Sequence, residues 1–339
     1  MDQEEIKKIS RIAEVSHLSF LLGAGTSAPF ILPLSDVEQK MNEAEDAKNT
    51  AEVIKLKKEF FCKAMVPCLD IKTYSYSKNG GEITKTYENY QVFLIEITKY
   101  LLLRKSTLLD KQVNLFTTNI DIFLEKILED TGAYYNDGFI GHMMPSFRTS
   151  HFQTITKKKS EYFEQQSEIP TFNLYKLHGS LTWKLDDDGK QIVYSNLSDL
   201  KQLKKLEGEE FNKLYNLLQI INPNRKKFET SVLESTYYEL LRLYATALEK
   251  ENALLIVAGF SFSDEHILAI TKRAMDSNPT LTVCILSHTR NRSEDYKRKF
   301  KGVRYVNNLH IFLPPEGKNI DLKWVVQNFI SKLDQGNDS

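Results

Sequence analysis

The chain has 339 residues, 41% hydrophobic and 27% charged, with only 14 Gly and 9 Pro. That length suggests two domains or one enlarged one, and the composition excludes collagen-like, mucin-like and disordered chains. Lys plus Arg and Asp plus Glu number 45 each, so the formal net charge is zero, which argues against a surface devoted to nucleic acid and removes long-range repulsion between copies.

The N-terminal MDQEEIKKIS is acidic and then basic, with no apolar core of a signal peptide. The first strand is read at Leu18–Leu22 and ends in Gly23-Ala24-Gly25-Thr26-Ser27-Ala28. This G-x-G-x-x-A pattern is read either as a phosphate-approach turn, backed by the N-terminus of a following helix, or as a strand-to-helix turn that needs Gly for packing. A dinucleotide-binding dehydrogenase would place a second strand soon after, ending in an acidic residue. Here Met41-Asn42-Glu43-Ala44-Glu45-Asp46 lies in an evident helix, which disfavours hydride transfer. Residues 36–110 read as a mainly helical insertion, interrupted over Tyr74–Tyr90, where Asn79-Gly80-Gly81 signals a hairpin turn. Cys62 and Cys68 are separated by five residues, the wrong spacing for half of a zinc site. Three cysteines in all form no disulfide framework and suit a reducing, cytoplasmic setting.

The second strand, Val113–Phe116, runs into Thr117-Thr118-Asn119-Ile120-Asp121. Asn119 could cap the helix read over Ile120–Glu129, yet capping needs one such residue and the segment supplies several. Polar groups so placed are costly to bury without partners, so a binding site is the competing reading. Residues 143–221 read as a second, mainly helical insertion. It holds a polar loop, the third strand at Phe172–Leu177, a turn at Asp186-Asp187-Asp188-Gly189 and a charged helix near Leu197–Leu218. The triple Asp lacks the spaced ligands of a calcium loop. The basic Lys157-Lys158-Lys159 reads as a solvated face. The third strand ends in Leu177-His178-Gly179-Ser180, where His178 is either a satisfied strand-end histidine or a working one, and Gly179 leaves room for a ligand.

A helix over Tyr237–Leu248 precedes the fourth strand, Leu254–Ala258. That strand ends in Gly259-Phe260-Ser261-Phe262-Ser263-Asp264, where Ser263 or Asp264 caps a helix over Asp264–Met275 and Ser261 is the ligand contact. Apolar runs such as Ala253–Phe260 fall far short of the roughly 20 residues that span a bilayer. Strands at Leu281–Leu286 and Val303–Leu309 follow, separated by the basic run from Lys297 to Lys301, another solvated face. Most of the six strands are continuously apolar, as in a parallel sheet covered on both faces. The predicted fold is α/β: a Rossmann-like, mostly parallel sheet with helices on both faces and a helical inserted subdomain. Residues 1–330 form one domain with its two insertions, and 331–339 a flexible tail. Four strands in succession end in small or polar residues at the edge where such sheets bind ligands.

This ordered set resembles the sirtuin family, whose members consume NAD on a Rossmann-like domain. The match runs through Gly23-Ala24-Gly25-Thr26-Ser27, Thr117-Thr118-Asn119-Ile120-Asp121, His178-Gly179 and Gly259-Phe260-Ser261, spread over about 240 residues. The resemblance implies that Gly23, Ala24, Gly25, Thr26 and Ser27 hold the pyrophosphate and nearby ribose. It places Asn119 and Asp121 at the nicotinamide end, with Thr117, Thr118 and Gly179 lining the same site. His178 becomes the catalytic histidine, and Gly259 and Ser261 contact the adenosine side.

The departures narrow the expectation. Three cysteines cannot build the four-cysteine zinc module of the deacetylating members, so no metal is expected. Ala28-Pro29-Phe30-Ile31 replaces the family's Gly-Ile-Pro-Asp-Phe-Arg, Thr118 stands where Gln is usual, and no segment supplies an acyl-lysine groove. The chain thus resembles the bacterial sirtuin-like proteins of anti-phage defence, which hydrolyse NAD to nicotinamide and ADP-ribose and deplete the infected cell. The resemblance implies an NAD glycohydrolase with Asn119, His178 and Asp121 as its catalytic residues. Such an activity needs control, through a homo-oligomer or a separate sensor such as a helicase or nucleotide-processing enzyme. The alternatives are an NAD-dependent protein deacylase or ADP-ribosyltransferase, and a non-catalytic nucleotide-sensing subunit.

Overall fold

The continuously apolar runs form adjacent parallel strands of one sheet. A computed structural model describes residues 3–31, 35–75, 80–106, 108–159, 161, 166–195, 197–221 and 231–333. The first half of the chain comprises α1 (Gln3–Glu14), β1 (His17–Leu22), α2 (Ser35–Asp46), α3 (Thr50–Phe60), α4 (Cys68–Lys72), α5 (Glu82–Leu103), β2 (Gln112–Thr117), α6 (Phe123–Thr131), β3 (Tyr134–Asn136), β4 (Phe139–Ile140) and β5 (Ser146–Phe147). There follow β6 (Lys157–Lys159), β7 (Gln166–Glu168), β8 (Thr171–Lys176), β9 (Gly179–Leu185), β10 (Ile192–Tyr194), α7 (Ser198–Leu203), α8 (Gly208–Tyr215) and β11 (Leu218–Ile220). The last part is α9 (Ser231–Glu249), β12 (Ala253–Ala258), α10 (Glu265–Ser277), β13 (Thr282–Leu286), α11 (Arg290–Lys299), β14 (Leu309–Phe312) and α12 (Leu322–Asn328).

The main sheet has seven strands in the order β14-β13-β12-β1-β2-β8-β3, and every pairing in it is parallel. Side chains alternate across it, as strand geometry requires. Leu18, Phe20 and Leu22 pack with α1, α5 and α6 on one face, while Leu21, Phe116, Leu255 and Val257 pack with α9 and α10 on the other. Both faces are therefore covered, which is why β8, β12 and β13 are buried at every position. This is the expected Rossmann-like α/β architecture. No described helix is long and apolar enough to cross a membrane.

Several elements depart from the sequence reading. The hairpin expected near Asn79-Gly80-Gly81 gives way to α5, whose first residue follows Gly81 at φ +74°. Asn79 lies outside the described residues. Tyr87, Tyr90, Phe93, Leu94 and Ile97 of α5 are buried along one helical face, at spacings of three and four, and that packing outweighs the strand propensity of the aromatic residues among them. The expected sixth strand starts later, at Leu309, because Val306–Asn308 form a short turn in which Asn308 donates to the Tyr305 carbonyl.

The largest difference lies in residues 143–221, expected to be mainly helical. Outside β8 they supply most of a five-stranded antiparallel sheet, β11-β9-β10-β5-β4, and the separate β6–β7 pair. In β9, Leu181 and Trp183 alternate with Ser180, Thr182 and Lys184, a period of two. The charged helix splits into α7 and α8 around Gly208 at φ +54°. The Asp186–Gly189 turn is as expected: the Asp186 carboxylate accepts from the Lys190 and Gln191 amides at 2.7 and 3.2 Å.

Candidate functional site

Strand register aligns the four motifs. Ala258 pairs with Leu22, Leu22 with Thr117, and Thr117 with Lys176, so four adjacent strands end in one row. From β1 the chain continues to β2 on one side, and from β12 to β13 and β14 on the other. The crevice at such a reversal, beyond the carboxyl ends of the strands, is where sheets of this kind bind ligands. Gly23 and Gly259 open the two loops at that reversal.

Asn119 faces the first loop and does not cap α6, which starts at Phe123. Its Nδ2 lies within hydrogen-bonding range of four acceptors: the Gly23 carbonyl (3.1 Å), Thr26 Oγ1 (3.2 Å), Ser27 Oγ (3.1 Å) and, more weakly, the Tyr90 hydroxyl (3.4 Å). Ser27 donates to Asp121 Oδ2 at 2.6 Å, and the Phe123 amide donates to Asp121 Oδ1 at 3.2 Å. Thr117 Oγ1 donates to the Leu22 carbonyl at 3.0 Å and accepts from the Asn119 amide at 3.0 Å. Thr118 binds the same Leu22 carbonyl through its backbone amide at 3.2 Å. Thr26, Ser27, Asn119 and Asp121 are all buried, so each of these bonds replaces a lost bond to water. Loop and strand end are thereby held as one polar unit. Ala24 is exposed at its rim.

No α-helix follows the first loop directly. Ala24–Thr26 form a single tight turn, and the next helix begins at Ser35. Among the described residues the expected helix N-terminus behind the glycine loop is missing, and four of the loop's own amides are already bonded to protein carbonyls: Gly23 to Ala258, Gly25 to Gly259, Thr26 to Gly23 and Ser27 to Ala24. The glycines also serve the packing of the loops themselves. A Cβ on Gly23 would lie 2.6 Å from the Gly259 carbonyl oxygen, and one on Gly259, at φ +63°, would lie 2.6 Å from the Thr26 nitrogen. Gly25 donates to the Gly259 carbonyl at 3.0 Å.

His178 occupies the two-residue turn from β8 into β9, between the two large sheets. Its carbonyl accepts from the Ile221 amide at 2.9 Å. Gly179, at φ +76°, has no room for a side chain, because a Cβ would stand 2.0 Å from the Gln219 carbonyl oxygen. The space expected for a ligand at Gly179 is thus filled by β11. The His178 ring is 20% exposed, and its Nε2 lies 3.2 Å from Asp264 Oδ2. Ser261 sits further along the same edge, with its hydroxyl 2.6 Å from that of Ser263 and its carbonyl accepting from Lys299 at 2.8 Å.

A family model described as SIR2-like domain matches residues 113–307, more than half of the chain. The chain belongs to the SIR2-like family. One solved structure, from work on the mechanism and regulation of Sir2 enzymes, matches 98% of this chain and 98% of its own at 13% identity and a TM-score of 0.44. A comparison with curated proteins yields no match. Membership points to NAD-dependent activity in general. The matched span holds Asn119, Asp121, His178, Gly259 and Ser261, and the hydrogen bonds of Asn119 tie it to the first loop of this SIR2-like chain.

The structure adds residues that the sequence reading missed. Tyr90, on α5, lies 2.7 Å from Thr26 Oγ1 and 3.0 Å from Ser27 Oγ. Burial and the nearby Asp121 charge hold its phenol well above the usual range, so it stays protonated. Lys176 donates to the Asp121 carbonyl and pairs with Glu125 at 3.0 Å. Ser180 donates to the same Glu125 at 3.1 Å, and burial raises the Glu125 carboxyl above its ordinary value. Among the described residues, no group of three or more His, Cys, Asp or Glu is placed to hold a metal ion.

Proposed function

We propose that this SIR2-like chain is an NAD glycohydrolase that cleaves the nicotinamide–ribose bond. The observation that carries the reading is the convergence of two units at one sheet edge. One is the closed polar network of Asn119, Ser27, Asp121 and Tyr90, and the other is His178 at the end of the strand next to β2. The rim of the loop at the exposed Ala24 is assigned to the nucleotide, and Gly23, Gly25 and Gly259 let the two loops that frame it pack closely together.

The reaction asks little acid catalysis of the protein, because nicotinamide leaves neutral with the bonding electron pair. Ribose C1′ gains positive character and takes the oxygen of water, whose proton passes to His178 and then to solvent. The protein must hold the ribose, place the water and stabilise developing positive charge. Asn119 suits the first two tasks, since its amide nitrogen is fixed by protein acceptors and its carbonyl oxygen is assigned to a ribose hydroxyl or the water. Asp121 holds Ser27 and the start of α6, and its negative charge lies beside the same network. His178 is assigned the role of base. Three cysteines in the whole sequence, against the four of a zinc module, favour hydrolysis over deacylation.

The test is nicotinamide release from NAD by purified protein with no acceptor added. Asn119→Ala and His178→Ala are each expected to abolish release while the circular dichroism spectrum stays unchanged. Full activity in either variant overturns the assignment, and release only with an acceptor favours the transferase class. NAD binding without turnover favours a sensing role. We further propose an NAD-depleting role in anti-phage defence, controlled by self-assembly or a partner protein. A constitutively active monomer on size exclusion would contradict that control.

A further inference from the structure

The N-cap of α10, Asp264, carries a carboxylate that both caps the helix and meets a histidine. Asp264 Oδ1 accepts from the His266 and Ile267 amides at 2.9 and 3.2 Å, which is the whole requirement of a helix cap. These two bonds fix the rotation of the carboxylate and so the direction of its second oxygen. That oxygen, Oδ2, meets His178 Nε2 at 3.2 Å, with the Asp264 side chain 5% exposed. The histidine is held as firmly from its own side, by the Ile221–His178 backbone bond and the side-chain-free Gly179. A contact between two fixed backbones, 86 residues apart in sequence, is not the chance meeting of two long surface side chains. The titratable groups beside the pair include Tyr237 of α9, its ring 6.4 Å from that of His178, and His266 of α10, 6.3 Å from Tyr237. Burial and the Asp264 charge keep the Tyr237 phenol protonated.

We propose that Asp264 is the positioning residue of His178, holding the Nε2–H tautomer so that the lone pair of the base sits on Nδ1. The role of His178 as base rests on the glycohydrolase reading, whereas the tautomer does not. A carboxylate at Nε2 does two things. It orients the ring, and it stabilises the imidazolium formed when the base takes its proton. Helix capping uses neither.

Asp264→Asn separates the two roles. Asn ranks with Asp as an N-cap, so α10 keeps its cap through Oδ1. The amide nitrogen replaces Oδ2 and donates, so Nε2 must accept and the ring proton moves to Nδ1. The first measurement is the ¹⁵N spectrum of histidine-labelled full-length protein, with the His178 signals assigned by their loss in His178→Gln. The wild type is expected to show the neutral ring as Nε2–H, and Asp264→Asn to show it as Nδ1–H. The second is NAD hydrolysis. In Asp264→Asn, kcat is expected to fall about tenfold or more with KM nearly unchanged. Asp264→Ser, which keeps a capping oxygen but no carboxylate, is expected to show the same fall in kcat. An unchanged tautomer in Asp264→Asn, or a wild-type kcat, overturns the proposal. If the wild type hydrolyses no NAD, the tautomer measurement decides alone. A proton that moves to Nδ1 then sustains the pairing while the glycohydrolase reading falls.

Discussion

Tyr90 was hidden in the sequence by its surroundings. It stands among Tyr87, Phe93, Leu94 and Ile97 at helical spacing, and nothing local separates it from core. Only its hydroxyl, 2.7 Å from Thr26 and 3.0 Å from Ser27, marks it out. Tyr90→Phe removes that one atom, while Thr26 and Ser27 keep their bonds to the Gly23 carbonyl and to Asp121, so the cost is that of a hydrogen bond, about 0.5–1.5 kcal/mol. The loop is thereby loosened, and kcat/KM for NAD is expected to fall about tenfold, read by the same nicotinamide-release assay. Unchanged kinetics would show that the loop holds its shape without the phenol. Asn119 and Asp121 were legible because four polar residues crowd one strand end. Their division of labour was not, because it depends on a loop some 90 residues earlier in the chain.

At the scale of elements, Lys176 ties the end of β8 to the segment before α6. It donates to the Asp121 carbonyl and pairs with Glu125, itself held by Ser180 of β9. Lys176 is 2% exposed, so removing its charge strands Glu125 in a poorly solvated place. Lys176→Met is expected to destabilise the fold by about 3–5 kcal/mol in urea unfolding, and Lys176→Met with Glu125→Gln to recover much of that loss. Equal loss in the single and double variants would show that the buried charge is not the cause. The strand ends of β1, β2, β8 and β12 were legible element by element, since each is a short apolar run followed by small or polar residues. The antiparallel sheet built from β9, β10 and β11 was not, because its alternating, partly charged strands read as loop and helix.

At the scale of the whole molecule, Asp137 lies in the joint between the two large sheets, between β3 and β4. Its carboxyl accepts from the Phe139 amide at 3.0 Å, and burial pushes its pKa from 3.8 up to about 6. A carboxyl whose folded pKa is raised binds its proton more tightly in the folded state. Its contribution to stability is therefore full below about pH 4 and lost as the pH rises through about 6. Asp137→Asn keeps the acceptor oxygen and removes the ionisation. It is expected to raise Tm above the wild type at pH 8, by up to about 3 kcal/mol of stability, with the gain vanishing near pH 4. A gain that does not change with pH would assign the effect to packing.

The sequence by itself determined the fold class and the rank of motifs along one sheet edge. Runs such as Leu254–Ala258, short, continuously apolar and closed by a Gly, read as buried strands, and a parallel sheet brings their carboxyl ends to one side. Tertiary structure alone decided which partners those motifs take. Hydrogen bonds between Asn119 and Ser27, or His178 and Asp264, join residues 92 and 86 positions apart. Their lengths are set by strand register and by two glycine-lined loop contacts. No local pattern encodes such distances, because they are properties of the packed sheet and not of any segment within it.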